Sequence, residues 1–156
     1  MKDEQASLLA EILDRCRPQR PDRANVLQTL LVVQERLGHV PPNAVGEIAH
    51  ALQVTEADVA GVLSYYPDLR VRTTGRHLIR VCMGESCLAN RSARVLCQLR
   101  DRLQVGVGET TPDGRFTLEN VYCVGNCAVS PSVIIDGDLY GRMTPAELAA
   151  VIEKYK

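Results

Sequence analysis

Net charge, lysine, histidine and long apolar runs are all scarce in this sequence, and each shortage excludes something. The chain carries 18 Lys and Arg against 19 Asp and Glu, a net charge of −1. Nucleic acids and anionic membranes reward a basic surface, so neither is expected as the main partner. The only lysines are Lys2, Lys154 and Lys156. The remaining basic residues are arginines, which suit polar protein interfaces better, although most arginines simply face solvent. No stretch reaches the roughly 18–20 apolar residues of a membrane span. The opening MKDEQASLLAEILDR carries acids and lacks the apolar core and cleavage site of a secretory signal. Those acids also speak against a mitochondrial presequence, so a cytoplasmic protein is expected. His39, His50 and His77 are not tied by spacing to a cysteine or to a triad, which leaves the hydrolytic options poor. G-x-G-x-x-G and P-loop patterns are missing, so no nucleotide site is visible.

What is present divides into two grammars. Apolar residues make up 46% of the 156, enough for a core without covalent staples. From Ala6 to about Tyr66 the spacing is helical. Leu8, Leu9, Ile12, Leu13 and Cys16 form one stripe, and two prolines in RCRPQRPD then break the chain. Val26, Leu27, Leu30, Leu31, Val33 and Leu37 form a second stripe, closed by Gly38. Pro42 or Asn43 opens a third helix through Ile48, Ala49 and Leu52. Thr55 with Asp58 reads as a capping box for a fourth, which Pro67 ends.

After Arg70 strands appear. RHLIRVCM alternates like a strand, LANRSARVLCQLRDRL reads as one helix with Ala89, Leu96, Leu99 and Leu103 inward, and RFTLENVYC reads as a second strand. SVIIDGDLYGR is a hairpin turning at Asp136-Gly137. Thr144, Pro145 and Glu147 open a last helix. The expected class is α+β: a helical bundle over residues 1–70, then an α/β domain over 71–156 in the order β-α-β-β-β-α.

Four of the six cysteines fall at loop positions: Cys82 and Cys123 at strand ends, Cys87 ahead of a helix, and Cys127 in a following loop. Strand ends on one sheet edge converge, so C-x4-C and C-x3-C, 35 residues apart, are placed to share a ligand. Cys16 and Cys97 sit inside helical patterns and read as packing residues. In a reducing compartment such cysteines are metal ligands or core more often than disulfides. Neither pair has the C-x-x-C spacing of a thioredoxin-type redox site. Gly84 and Gly125 let the backbone bend around a sulfur and turn amide N–H groups toward it. Loops of this length favour a binuclear iron–sulfur cluster, with a structural zinc or a disulfide as the remaining alternatives.

These residues resemble the thioredoxin-like [2Fe–2S] ferredoxin family, through C-x4-C, the later C-V-G-x-C, an apolar strand after Pro131 and the Asp-Gly hairpin. That family includes the 24-kDa subunit of respiratory NADH dehydrogenase and matching subunits of NAD-linked hydrogenases and formate dehydrogenases. The segment LLVVQERLGHVPPNAVGEIAHALQVTEADVAGVLSYYPDLR resembles the family's N-terminal helical bundle, so the likeness spans nearly the whole chain. One departure, SYY where TFY is more usual, falls in this half and leaves the cysteines untouched. GETTPDGRFTLENVYCVGNCAVSPSVIIDGDLYGRMTP is most similar to the gamma subunit of soluble, molybdenum-containing NAD-dependent formate dehydrogenase.

The resemblance implies one [2Fe–2S] cluster, with one iron on Cys82 and Cys87 and the other on Cys123 and Cys127. It also implies an electron-transfer subunit beside a flavin- and NAD-binding partner, in a complex whose molybdopterin subunit oxidises formate. FMN, NAD and molybdopterin would then sit on partners only, and the isolated chain would catalyse nothing. The equivalent subunit of an NAD-reducing hydrogenase or of respiratory complex I is the near alternative. A zinc-stabilised interaction module is the alternative of another class. The helical half is expected to dock on partner subunits, because its apolar stripes have more face than a small four-helix core must bury.

Overall fold

The structure, a computed structural model, describes residues 2–16 and 25–155. The chain divides into two compact units, Met1–Thr73 and Thr74–Lys156. The proline-bearing break at residues 17–24 lies outside the described residues.

In the first unit the stripes become faces of four helices. Helix α1 (Lys2–Cys16) buries Leu9, Ile12 and Leu13, while Cys16 is half-buried. Helix α2 (Val26–Leu37) opens with the Asn25 side chain accepting the Gln28 N–H and closes at Gly38, whose N–H reaches the Gln34 carbonyl. Leu30 and Val33 are fully buried, but Leu31, expected inward, is 40% exposed. It lies one residue round from Leu30, about 100° away on the helix. Helix α3 (Ala44–Leu52) buries Ile48, Ala49 and Leu52. Helix α4 (Glu56–Tyr65) carries the full Thr55–Asp58 capping box and buries Val59. The segment after α4 is tied back through Gln34, whose Nε2 donates to the Asp68 carbonyl at 2.8 Å while its Oε1 accepts the Arg70 N–H at 2.6 Å. One apolar cluster, with Val40 and Leu69 closing it, unites the unit.

The second unit is a five-stranded sheet in the order β2-β3-β1-β4-β5. Strand β1 (His77–Cys82) is central; it runs parallel to β3 (Phe116–Val121) and antiparallel to β4 (Val133–Ile135). Ile79, Val81, Phe116, Leu118, Val133 and Ile135 form one apolar cluster with the two longer helices of this unit. Those helices are α6 (Ser92–Leu103), contributing Val95 and Leu99, and α7 (Pro145–Ile152), contributing Leu148, Val151 and Ile152. Burying such side chains contributes about 1.5–3 kcal/mol each before entropy is counted. Strand β5 (Asp138–Tyr140) returns from β4 through Asp136 and Gly137, both at positive φ, as a two-residue Asp-Gly hairpin needs. Thr144, Pro145 and Glu147 form the expected start of α7, with its capping box complete.

Two expectations change. Strand β2 (Glu109–Thr110) pairs with β3 across the Thr111–Gly114 turn. At two residues it is too short to show alternation. The single helix expected from Leu88 is two. A short α5 (Glu85–Ala89) ends at Asn90, Arg91 takes a left-handed φ of 69°, and α6 starts afresh. The order is therefore β-α-α-β-β-β-β-α. Ala89 is consequently exposed; Leu99 is buried as anticipated, Val95 joins it, and Leu96 and Leu103 are half-buried against the same cluster. Among the described residues no helix is long and apolar enough to cross a membrane.

Candidate metal centre

The parallel pairing of β1 with β3 puts their C-terminal ends side by side, with Cys82 opposite Val121. The Met83 N–H donates to the Val121 carbonyl at 2.7 Å, so the chain leaving β1 stays against the chain leaving β3. Cys82 is the last residue of one strand, and Cys123 follows the other by two residues. From Gly84 the chain turns into α5, which carries Cys87; that residue lies within a helix rather than ahead of one. Cys127 starts a 3-10 turn (Cys127–Val129), and the Ser130–Pro131 bond after it is cis. Cys82 and Cys87 are each 2% exposed, while Cys123 and Cys127 are open. One pair is inner and the other outer.

Backbone fit explains the two glycines. A Cβ on Gly84 would stand 3.1 Å from the Tyr122 carbonyl oxygen, so the α5 start and the β3 exit approach closely enough to crowd any side chain there. Gly125 has φ +74°, and its N–H points to the Cys123 sulfur at 3.4 Å. An amide aimed at a sulfur stabilises a thiolate and tunes whatever it ligates.

The thiols form a set. Burial first, then a hydrogen bond with Cys82, pushes the Cys87 thiol above its ordinary pKa; repulsion from Cys82 and Cys127 adds to this, and a Ser132 backbone hydrogen bond opposes it. The charged neighbours that raise it are other cysteines, so ionising the set builds up negative charge that a bound cation would neutralise. Four thiols in an inner and an outer pair are the ligand type and number that a [2Fe–2S] cluster takes.

The polar frame of this cradle was not legible in the sequence. The Ser132 carbonyl accepts the Cys82 N–H at 3.0 Å, and Ser132 itself is fully buried. Ser86, Asn90 and Ser130 form side-chain bonds between the two cysteine loops. The only available signal was Ser86 beside Cys87 and Asn126 beside Cys127. Two other expectations resolve away from the centre. Cys97 is exposed rather than packed, with its sulfur toward Asp101. His77, tied by spacing to neither a cysteine nor a triad, has its Nδ1 2.6 Å from Asp136 at the hairpin turn.

Residues 9–156 match the thioredoxin-like [2Fe-2S] ferredoxin family. A subunit of the NADH-quinone oxidoreductase of Pseudomonas aeruginosa is 38% identical over 133 residues, 85% of this chain and 80% of that protein. The corresponding NADH-quinone oxidoreductase subunit of Escherichia coli K12 is 37% identical over 134 residues, 86% of this chain and 81% of that one. Among solved structures, an air-oxidised NAD+-reducing [NiFe]-hydrogenase superposes with a TM-score of 0.70 at 22% identity. The match covers 83% of this chain and 22% of the hydrogenase chain, a likeness of fold alone. With paired cysteines at adjacent parallel strand ends and a family match over almost its full length, the chain belongs to the thioredoxin-like [2Fe–2S] ferredoxin family, whose members carry a [2Fe–2S] cluster.

Proposed function

We propose that this protein is an electron-transfer subunit of an NAD-linked oxidoreductase, with Cys82, Cys87, Cys123 and Cys127 holding the cluster. The observation that carries this is the pairing of a buried and an exposed cysteine pair at the C-terminal ends of β1 and β3. When bound, such a cluster supplies one-electron transfer. The chain's own residues hold four thiolates, aim the Gly125 amide at Cys123, and shield the inner pair from water while leaving the outer pair open to a partner.

Nicotinamide gives up hydride as a two-electron unit, so a flavin- and NAD-binding subunit must stand between NAD and this chain. The helical unit supplies much of the docking surface; Tyr65, 78% exposed, and Leu31 are apolar faces it leaves open. The finer reading is the gamma subunit of a cytoplasmic NAD-dependent formate dehydrogenase, with a molybdopterin subunit oxidising formate to carbon dioxide. It is supported by the stretch from Gly108 to Pro145. The second reading, respiratory complex I, is favoured by the two NADH-quinone oxidoreductase relatives.

One purification tests both levels. Isolated without oxygen, the chain should hold about two irons and two sulfides and give a half-integer-spin EPR signal on reduction. One zinc and no iron would refute the cluster. The complex that co-purifies should reduce NAD with formate; activity only with hydrogen, or only with quinone, would move the protein to a hydrogenase or to complex I.

A further inference from the structure

We infer that Asn90, Ser130 and Ser86 form a strap that sets the distance between the two cysteine loops and so positions the inner and outer cluster ligands. The inference rests on the cluster reading above. Asn90 stands at the break between α5 and α6, where Arg91 adopts a left-handed conformation that L-residues take only at a cost. The break leaves the Asn90 side chain facing the Cys127 loop.

The Asn90 amide nitrogen lies 2.8 Å from the Ser86 carbonyl and 2.9 Å from the Ser130 hydroxyl. The carbonyl can only accept, so the bridging atom is the donor nitrogen, and its two hydrogens serve the two partners. Ser130 Oγ is 3.2 Å from Ser86 Oγ, which in turn reaches the Cys127 carbonyl at 3.4 Å. One direction satisfies every group: Asn90 donates to Ser130, Ser130 to Ser86, and Ser86 to the carbonyl of a ligand cysteine. Ser86 precedes Cys87 directly, and Ser130 follows Cys127 by three residues. The chain of bonds therefore runs from the inner-pair helix to the outer-pair loop, and none of its members is a ligand. They are positioning residues.

The test uses the full chain, as Asn90→Ala, Ser130→Ala, Ser130→Thr and the Asn90→Ala/Ser130→Ala double variant. An iron chelator should bleach each single alanine variant about 3–10-fold faster than the parent, the scale of one lost hydrogen bond. The double should be no faster than the worse single, because both substitutions cut the same strap. Ser130→Thr, which keeps the hydroxyl, should bleach at the parent rate. The reduced alanine variants should also show shifted EPR g-values, which a loss of fold stability alone would not produce. Parental bleaching with unshifted g-values in both singles, or rate effects that multiply in the double, would overturn the strap. Metal content of the parent protein judges the cluster reading separately. If the parent holds zinc, that reading fails, and zinc release to a chelator tests the strap by the same comparison.

Discussion

Replacing Gly84 by alanine should destabilise the second unit, whereas the same replacement at Gly61 should stabilise the first. At Gly84 the new Cβ would meet the Tyr122 carbonyl oxygen at 3.1 Å and the Cys123 Cα at 3.7 Å. The tight contact is the first, and it is a backbone atom of the strand exit that leads to Cys123, so it cannot swing aside as a side-chain tip would. Overpacking of this kind costs about 1–3 kcal/mol. Against it stands the lower entropy of the unfolded chain, which favours alanine by roughly 0.4–1 kcal/mol where the backbone permits it. The φ of −67° at Gly84 does permit it. At the middle of both ranges the balance is a loss of about 1–2 kcal/mol. At Gly61, in the middle of α4, nothing lies within 4 Å of the added Cβ. Helix propensity then stabilises by up to about 1 kcal/mol. Urea unfolding of the metal-free chain, followed by circular dichroism, checks both. With a slope of about 2 kcal/mol per molar, Gly84→Ala should lower its unit's midpoint by roughly 0.5–1 M. A neutral or stabilising Gly84→Ala would refute the claim that close approach of the two loops crowds a side chain there.

The cysteines separate cleanly. Cys82→Ser, Cys87→Ser, Cys123→Ser and Cys127→Ser should each lose or distort the iron spectrum, while Cys97→Ala, at an exposed position, should leave spectrum and stability unchanged. Cys16→Ala removes a half-buried sulfur from the first core and should cost about 1 kcal/mol in denaturation, with the iron spectrum intact. Leu118→Ala should cost about 2–5 kcal/mol, because the side chain is fully buried beside Ile79 at the centre of the sheet. On the acid side, a hydrogen bond from the Thr55 side chain holds the Asp58 carboxyl below its usual range, and one from the Thr144 backbone does so for Glu147. A depressed folded-state pKa means stability that is present above the ordinary carboxylate range and lost as pH falls through the folded value. Asp58→Asn with Glu147→Gln should therefore flatten the fall of melting temperature on acidification, and an unchanged slope would refute the linkage.

Local rules were enough wherever a decision is made within a few residues. The Thr55 and Thr144 capping boxes, the Gly38 cap and the Asp136-Gly137 turn each depend on hydrogen bonds or φ values set by adjacent side chains, and each stands as read. The buried stripes of α1 and α3 follow from the helical period for the same reason. The cysteine spacing offered Cys82, Cys87, Cys123 and Cys127 as the proposed ligand set, and the structure adds that Cys82 and Cys123 leave paired strands. What sequence could not show is which strands would be neighbours. That β1 lies between β3 and β4 was decided by burying Ile79 and Val81 between strands distant in sequence, and this pairing makes Cys82 and Cys87 the inner pair. The helix break at Asn90–Arg91 has the same origin. Nothing in NRSAR forbids a continuous helix, and the positive φ at Arg91 persists in a structure where Asn90 bonds to Ser130, 40 residues away. Residues near in sequence choose a conformation by their own propensities; a cradle built from two distant loops exists only once packing has brought those loops together.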